Sequence, residues 1–469
     1  MPGPEVVVVG GGISGLVAAY RLHKVGVRVT LVEKAPRLGG KVVTDHDDGF
    51  LIEGGPDSFV TAKGSVLELA EELGLEGQVI PTRPEHRGSH VWWEGKLHLL
   101  PGGLLLMVPS RLRPLFTSSL LTWKGKIRVL GDLVQPRSGR EGDESLESFV
   151  TRRLGREVLE RVAEPLIAGI HAAEPATMSL RASFPRFLEM ERQHRSLILA
   201  ARAASSRTAP AGLSHFASFK DGMGQLTTAL TSVLDGVHVR TGVGVTGIRD
   251  GEPRGYRLDL DDGTELTTGA VILATPASVT SELLVDLAPE AASALGEIRQ
   301  VATAAVTLAY RAEDLPPLTG SGFVVPSVQG GRIMGVSYLS QKWEGRVPDS
   351  RYTLLRVFAR GQVLARSSDD HLRSVIGEEL ATMVGITATP VQSWVRVWEE
   401  GLHQYTLGHL DRVAVAERAL QARPELALAG AGFHGIGLNE CIDSGERAAG
   451  RVLDSMAGRV GSFGSRDRH

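Results

Sequence analysis

Three stretches of the chain carry glycines in the spacing G-x-G-x-x-G: Gly10, Gly12 and Gly15; Gly242, Gly244 and Gly247; and Gly430, Gly432 and Gly435. The spacing carries chemistry only where it follows a strand and opens a helix. There the first glycine permits a tight turn, the second lets backbone approach a pyrophosphate, and the third lets helix and strand pack closely. The first stretch meets every condition. It follows the β-branched run Val6–Val9 and opens an amphipathic pattern to about Lys24. A second strand pattern, Val27 to Val32, then delivers Glu33, an acid placed to accept hydrogen bonds from a ribose diol. The second stretch leads into a hairpin and reads as a strand edge. The third lies between strand and helix, with too little chain after it for a second strand and acid. It reads either as a plain turn or as a helix start directed at a cofactor bound elsewhere.

One complete nucleotide unit leaves NAD(P) or FAD. Arg37-Leu38-Gly39-Gly40-Lys41 and Glu53-Gly54-Gly55-Pro56-Asp57-Ser58 add glycine-rich turns that an extended FAD needs and a nicotinamide dehydrogenase does not. The lack of a second nucleotide unit points to oxygen or a small diffusible acceptor as reoxidant. Cations for a substrate's carboxylates crowd one helical stretch: Arg186, Arg192, His194, Arg195 and Arg202. On a continuous helix Arg192, Arg195 and Arg202 share a face; a solvated face is the alternative. His86 and His90 flank a loop-like Arg-Gly, so a metal site is not expected. Cys441, the single cysteine, excludes an intrachain disulfide, a Cys-x-x-Cys redox pair and a thiolate metal site, and reads as a small buried hydrophobe. No Gly-x-Ser-x-Gly elbow is present.

These residues need a large scaffold. The chain has 469 residues, 42% hydrophobic and 22% charged, with a net charge of −3, as a soluble globular protein of several domains would. Near-neutral charge gives no footprint for nucleic acid. Glycine, at 56 residues, is the outlier against an average of ~7%. No run approaches the ~18 apolar residues of a spanning helix, and no signal-peptide pattern precedes the first strand. The expectation is a cytoplasmic protein or one at the inner membrane face. The apolar, proline-broken segment Leu100–Phe116 reads as a membrane-surface element, a channel cover or core lining. The fold class is α/β: a discontinuous Rossmann-like, FAD-binding domain (1–94, 213–278 and 397–456), an all-helical domain (95–212), an inserted mixed-sheet substrate domain (279–396) and a flexible tail (457–469).

The run Val6 to Ser58 resembles the superfamily of FAD-containing amine oxidases and porphyrinogen oxidases. Pro165–Pro185, His194–Leu199, Trp398–His409 and Gly432–Asp443 resemble the bacterial oxygen-dependent porphyrinogen oxidases of haem synthesis. The resemblance implies FAD with its pyrophosphate on Gly10, Gly11, Gly12, Ile13, Ser14 and Gly15, and its ribose at Glu33 and Lys34. Gly40, Lys41, Gly55, Pro56, Asp57 and Ser58 would lie along the ribityl and flavin. Val245 would meet the adenine through its backbone, and Trp398, Ile436, Gly437 and Leu438 would close around the cofactor. The activity implied is six-electron oxidation of coproporphyrinogen III to coproporphyrin III, with O2 as acceptor and release of H2O2. Protoporphyrinogen IX oxidation is the alternative. Asp57 with Lys63, and Cys441-Ile442-Asp443, look like the coproporphyrinogen branch, since many protoporphyrinogen oxidases carry Asn at the first of these positions.

By resemblance Asp57 accepts or steers a proton and Lys63 orients it or binds a carboxylate. The other readings are an Asx-turn after Pro56 and a solvated lysine. The Gly169 backbone and Ile170 would pack on the ring face, and Arg192 and Arg195 would hold carboxylates. His171-Ala172-Ala173 departs from the family's usual Tyr-Ala-Gly. An amine oxidase is disfavoured because Phe433-His434 stands where such enzymes usually show tyrosine; a flavin-loaded porphyrin carrier is the non-enzymatic rival. A ferrochelatase is the candidate recipient of product.

Overall fold

Four consecutive valines make a strand buried on both faces, as in parallel sheets covered by helices, and Val6–Val9 are at most 4% exposed. The computed structural model describes residues 5–139, 142–204, 214–252, 255–361 and 367–463; the side chains of Ile170 and residues 458–463 lie outside that description. Strand Glu5–Val9 sits at the centre of a five-stranded sheet, between Arg28–Glu33 and Ala270–Leu273, with His238–Thr241 and Leu426–Leu428 at the edges. All four pairings are parallel. Helix Ile13–Lys24 packs on this sheet and against the last helix, Leu438–Phe463. Contact between those helices is close. Ser14 Oγ donates to Cys441 O at 2.7 Å, and a Cβ on Gly445 would lie 2.3 Å from Ser14 O.

A seven-stranded mixed sheet runs in the order Gln392–His403, Gln300–Arg311, Tyr352–Ala359, Ile333–Tyr338, Gly322–Val324, His90–Trp93, Lys96–Leu99. The expected boundary at 94/95 therefore cuts a hairpin of this sheet, and that at 396/397 cuts a continuous strand. Helix continues through Phe463, past the expected tail boundary at 457; residues 464–469 of that tail, and 205–212 at the end of the expected helical domain, lie outside the described residues. The segment 100–116 forms the small hairpin Leu104–Leu105/Val108–Pro109 and helix Leu112–Thr117. Met107, Val108 and Leu115 enter the core of the helical unit, so the segment is largely core lining. Among the described residues no helix is long and apolar enough to cross a membrane.

The arginine face fails for a local reason. The expected single helix is two, Pro185–His194 and Leu197–Ala204, broken at Arg195 with φ +64°. Buried Asp132 imposes the break. Its Oδ2 accepts from Ser196 Oγ at 2.6 Å and Ile198 N at 3.1 Å, capping the second helix. Arg153, fully buried, donates to Asp132 Oδ1 through Nε at 2.8 Å and to Arg195 O at 2.6 Å. Removing one partner of a buried ion pair costs about 3–5 kcal/mol, because the other charge is stranded. Arg153→Met is accordingly expected to lower stability by about that much, as a drop in the midpoint of thermal or urea unfolding.

Candidate functional site

The first glycine turn is built by exclusion. Gly10, at φ +103°, has no room for a Cβ, which would lie 2.5 Å from Ala274 O; one on Gly15 would lie 1.9 Å from Gly10 O. Gly12 differs: a Cβ there meets nothing within 4 Å. Gly12 also caps helix Ile13–Lys24 with no side-chain bond, leaving the first-turn amides of Ile13, Ser14 and Gly15 facing that open space. A second glycine turn closes from the side. Gly39 N donates to Gly11 O at 2.8 Å, and a Cβ on Gly40 would lie 3.0 Å from Gly12 Cα. The Glu33 carboxylate lies across the mouth, accepting from Gly11 N at 2.6 Å and Ala35 N at 2.7 Å. Lys34 is exposed, with its stem beside Gly244, and Val243 N donates to Glu33 O at 3.2 Å. These contacts bring Val245 to the same side as Glu33.

Farther along, a Cβ on Gly55 would lie 1.8 Å from Lys41 O, so the two turns touch backbone to backbone. Burial lowers the Lys41 ammonium from its usual range, against the Glu400 charge, and Lys41 has no hydrogen-bond or ion-pair partner among the described residues. Trp398 Nε1 donates to Gly54 O at 2.7 Å. On the far wall, Ile436, Gly437 and Leu438 lead into the last helix, where Cys441 N donates to Gly437 O at 2.9 Å. An open space over Gly12, uncapped amides and a half-buried unpaired ammonium fit a cofactor with a pyrophosphate and an extended polar chain.

Asp57 does not meet Lys63. Its Oδ2 accepts from Lys342 Nζ at 2.8 Å and Trp343 Nε1 at 3.3 Å, and its Oδ1 from Ser58 Oγ at 2.8 Å. Lys63, largely exposed, pairs instead with Glu440 at the start of the last helix, because Ser65–Asp443 (2.5 Å) and Asn439–Val60 (3.1 Å) draw residues 60–65 onto that helix. Burial alone would raise the Asp57 carboxyl, but Lys342 and then Arg356 hold it well below the usual carboxylate range. Arg356, itself buried, donates to Gly55 O at 2.7 Å. Glu53 and Arg346, both fully buried and 4.0 Å apart, continue the cluster.

The other expected residues are scattered. Arg192 and Arg195 are exposed, and Arg195 spends one Nη on Leu133 O at 3.2 Å. Gly169 is exposed on helix Glu164–His171 and the Ile170 side chain lies outside the described residues. His171, in place of the expected tyrosine, is buried against Phe184 at 5.3 Å, and burial pushes it down to about 4, leaving it neutral at pH 7. Sequence reasoning missed Lys342, Trp343 and Arg356. Only Arg356 left a signal, a charge in the middle of the apolar strand YTLLRVFA.

A parallel sheet with this glycine cradle, joined to a mixed sheet through a buried aspartate, defines a dinucleotide-type flavoprotein. The chain belongs to the flavin containing amine oxidoreductase family, whose model matches residues 13–453. FAD is the cofactor of that family, and the cradle fits it. The chain is 36% identical to a coproporphyrinogen III oxidase of Propionibacterium freudenreichii, over 99% of this chain and 95% of the relative. It is likewise 36% identical to the protoporphyrinogen oxidase of Bos taurus, over 96% of this chain and 98% of that one. A solved structure from Exiguobacterium, provisionally named a protoporphyrinogen oxidase, superposes with a TM-score of 0.85 at 32% identity, covering 97% of this chain and all of that one.

A depressed carboxyl stabilises the fold above its unfolded value near 4 and loses that contribution as pH falls below it. Lys342→Met removes the largest charge holding Asp57 down. The variant is expected to be less stable at pH 6 and to lose less stability than the parent between pH 5 and 3, read as urea midpoints.

Proposed function

We propose that the protein is an FAD-dependent oxidase of haem biosynthesis that takes six electrons from coproporphyrinogen III in three two-electron cycles, with O2 as acceptor and H2O2 as product. The observation that carries this reading is the cradle around Gly12 joined to the buried Asp57 cluster, in a chain matched over nearly its full length by porphyrinogen oxidases. In this reading the five-stranded sheet is the FAD-binding unit, the seven-stranded sheet lines the substrate side, and the helical unit covers the cavity.

When bound, the flavin supplies the two-electron acceptor chemistry. The chain's own residues supply the rest. The turn Gly10–Gly15 holds the pyrophosphate, on the uncapped amides of Ile13, Ser14 and Gly15, Glu33 takes the ribose hydroxyls, and Lys41 balances negative charge along the chain. Asp57 stays ionised throughout the neutral range, so it steers a proton by its charge and does not store one. Lys342 and Trp343 fix its orientation. Lys63 and Glu440 tie the segment after Asp57 to the last helix, so Lys63 is not assigned a substrate contact. Arg192, Arg195 and, on helix Glu164–His171, Gly169 and Ile170 stand as surface and ring-face candidates for substrate contact.

Protoporphyrinogen IX is the second reading, favoured by the bovine relative's equal identity. Contact with a membrane's inner face belongs to the proposal through exposed Trp123 and Ile127 on helix Trp123–Leu130, and hand-off to a ferrochelatase through the chemistry of the product.

Paired aerobic assays with coproporphyrinogen III and protoporphyrinogen IX, following porphyrin fluorescence and oxygen uptake against blanks, test the reading. Faster turnover of the four-carboxylate substrate is expected; faster protoporphyrinogen turnover would reverse the substrate, and neither turning over with FAD bound would reject the activity. The cradle has its own test. Gly12→Leu is expected to fold with the parent's melting temperature yet bind FAD at least tenfold more weakly, because its side chain enters space that only cofactor would fill; Gly15→Leu is expected not to fold.

A further inference from the structure

The stretch His403-Gln404-Tyr405-Thr406-Leu407-Gly408-His409 takes no part in the proposed reaction, yet it carries three buried polar rings. His403, Tyr405 and His409 are 6%, 3% and 0% exposed. The Tyr405 hydroxyl donates to Ala431 O at 2.8 Å and accepts from Gly435 N at 2.7 Å. His409 stacks on the Tyr405 ring, centroids 3.8 Å apart and planes 16° apart, and its Nε2 lies 2.8 Å from Phe433 O. That carbonyl can only accept, so Nε2 carries the proton. His403 Nε2 accepts from Ala277 N at 3.3 Å, and a Cβ on Gly432 would lie 3.3 Å from the same nitrogen. Residues 431, 433 and 435 are thus each held by a ring from this stretch, alternately along one turn. The turn needs holding: Gly430 and Gly435 sit at φ +122° and +140°, where glycine has its widest conformational freedom.

The backbone of the same stretch is tied to the helical unit. Gln404 Nε2 donates to His171 O at 3.0 Å, Ser179 N donates to Tyr405 O at 2.8 Å, and Leu407 N donates to Thr177 O at 2.9 Å. Gly408 N donates to Asp143 Oδ2 at 3.0 Å. One short segment therefore grips both the turn that opens the last helix and the end of helix Glu164–His171.

We propose that Tyr405 and His409 are positioning residues: their rings and hydrogen bonds fix the turn 430–437 against the flavin and hold it in register with the helical unit. This rests on the flavin reading above. A turn so fixed discriminates between the oxidised and reduced cofactor, whose charge and hydrogen-bonding needs differ. Loosening it alters the relative affinity for the two states, which is a change in midpoint potential.

The test uses the full-length, flavin-loaded protein. Tyr405→Phe keeps the stack and removes both hydroxyl bonds. Its two-electron midpoint potential is expected to shift by about 30 mV or more, a tenfold change in relative affinity for the two flavin states. The Gly435 amide is expected to exchange with deuterium at least tenfold faster. Tyr338→Phe, an equally buried tyrosine in the core of the seven-stranded sheet, is expected to leave the potential unchanged. His409→Phe, which keeps a ring but loses the donor to Phe433 O, should shift the potential, and His409→Gln, which keeps a donor, should restore it in part. If Tyr405→Phe does not fold, the His409 pair decides. A loaded Tyr405→Phe with the parent's potential and exchange rate would overturn this inference alone; an unchanged protein that binds no flavin would overturn it together with the proposed function.

Discussion

Everything else in the molecule is arranged around a place where no side chain fits. Between strand Glu5–Val9 and helix Ile13–Lys24 the backbone of Gly15 lies so close to that of Gly10 that a Cβ would overlap the carbonyl. This approach sets the angle at which the helix leaves the sheet and keeps its first amides uncapped over the open space at Gly12. The last helix repeats the device at Gly445, against Ser14, so it is pinned by a backbone contact to the helix that Gly15 sets on the sheet. Exclusion of atoms, more than attraction between them, defines the cradle.

A second constraint is charge taken out of water. Glu53, Arg346 and Arg356 are buried, and Asp57 partly so, where the glycine turn after Gly54 meets the seven-stranded sheet. Burying ions is unfavourable unless each is paired, and here the partners come from different sheets. Lys342 and Arg356 come from helix Leu339–Lys342 and strand Tyr352–Ala359 of the seven-stranded unit, Glu53 and Asp57 from strand Phe50–Glu53 and the turn after it. The pairing adds to the apolar contact that Phe50 and Ile52 make with Ala309, Trp343 and Leu354, and it keeps Asp57 ionised where burial alone would favour the neutral acid.

What was legible in the sequence was local. The turn at Gly10–Gly15, the strand that follows and Glu33 lie within two dozen residues, and the spacing of glycines against apolar runs determines them. The class of the fold, the cofactor and the mixed sheet were readable on the same grounds, or from resemblance along the chain. Lys342 was not: it lies 285 residues from the carboxylate it neutralises, in a segment with no motif. Arg192 and Arg195 were placed on one helix face because helical periodicity holds across the break. What interrupts it is Asp132, 64 residues upstream, a cap invisible to any window. The boundary at 94/95 failed similarly, since hairpin His90–Leu99 finds its sheet partner in strand Gly322–Val324.

The strand order of the parallel sheet also has a consequence for the order in which the molecule is made. Its five strands come from residues 5–9, 28–33, 238–241, 270–273 and 426–428, so the edge strand and the helix behind it leave the ribosome long after the strand they join. The helical unit, drawn mostly from residues 104–204, has its partners close in sequence and is able to condense early. Until that edge strand emerges the nascent chain thus carries a folded cap beside an unfinished sheet whose central strands are apolar on both faces. The chain acquires a place to keep its cofactor only once strand Leu426–Leu428 and the helix after it have emerged, and until then that sheet is the part most in need of protection from aggregation.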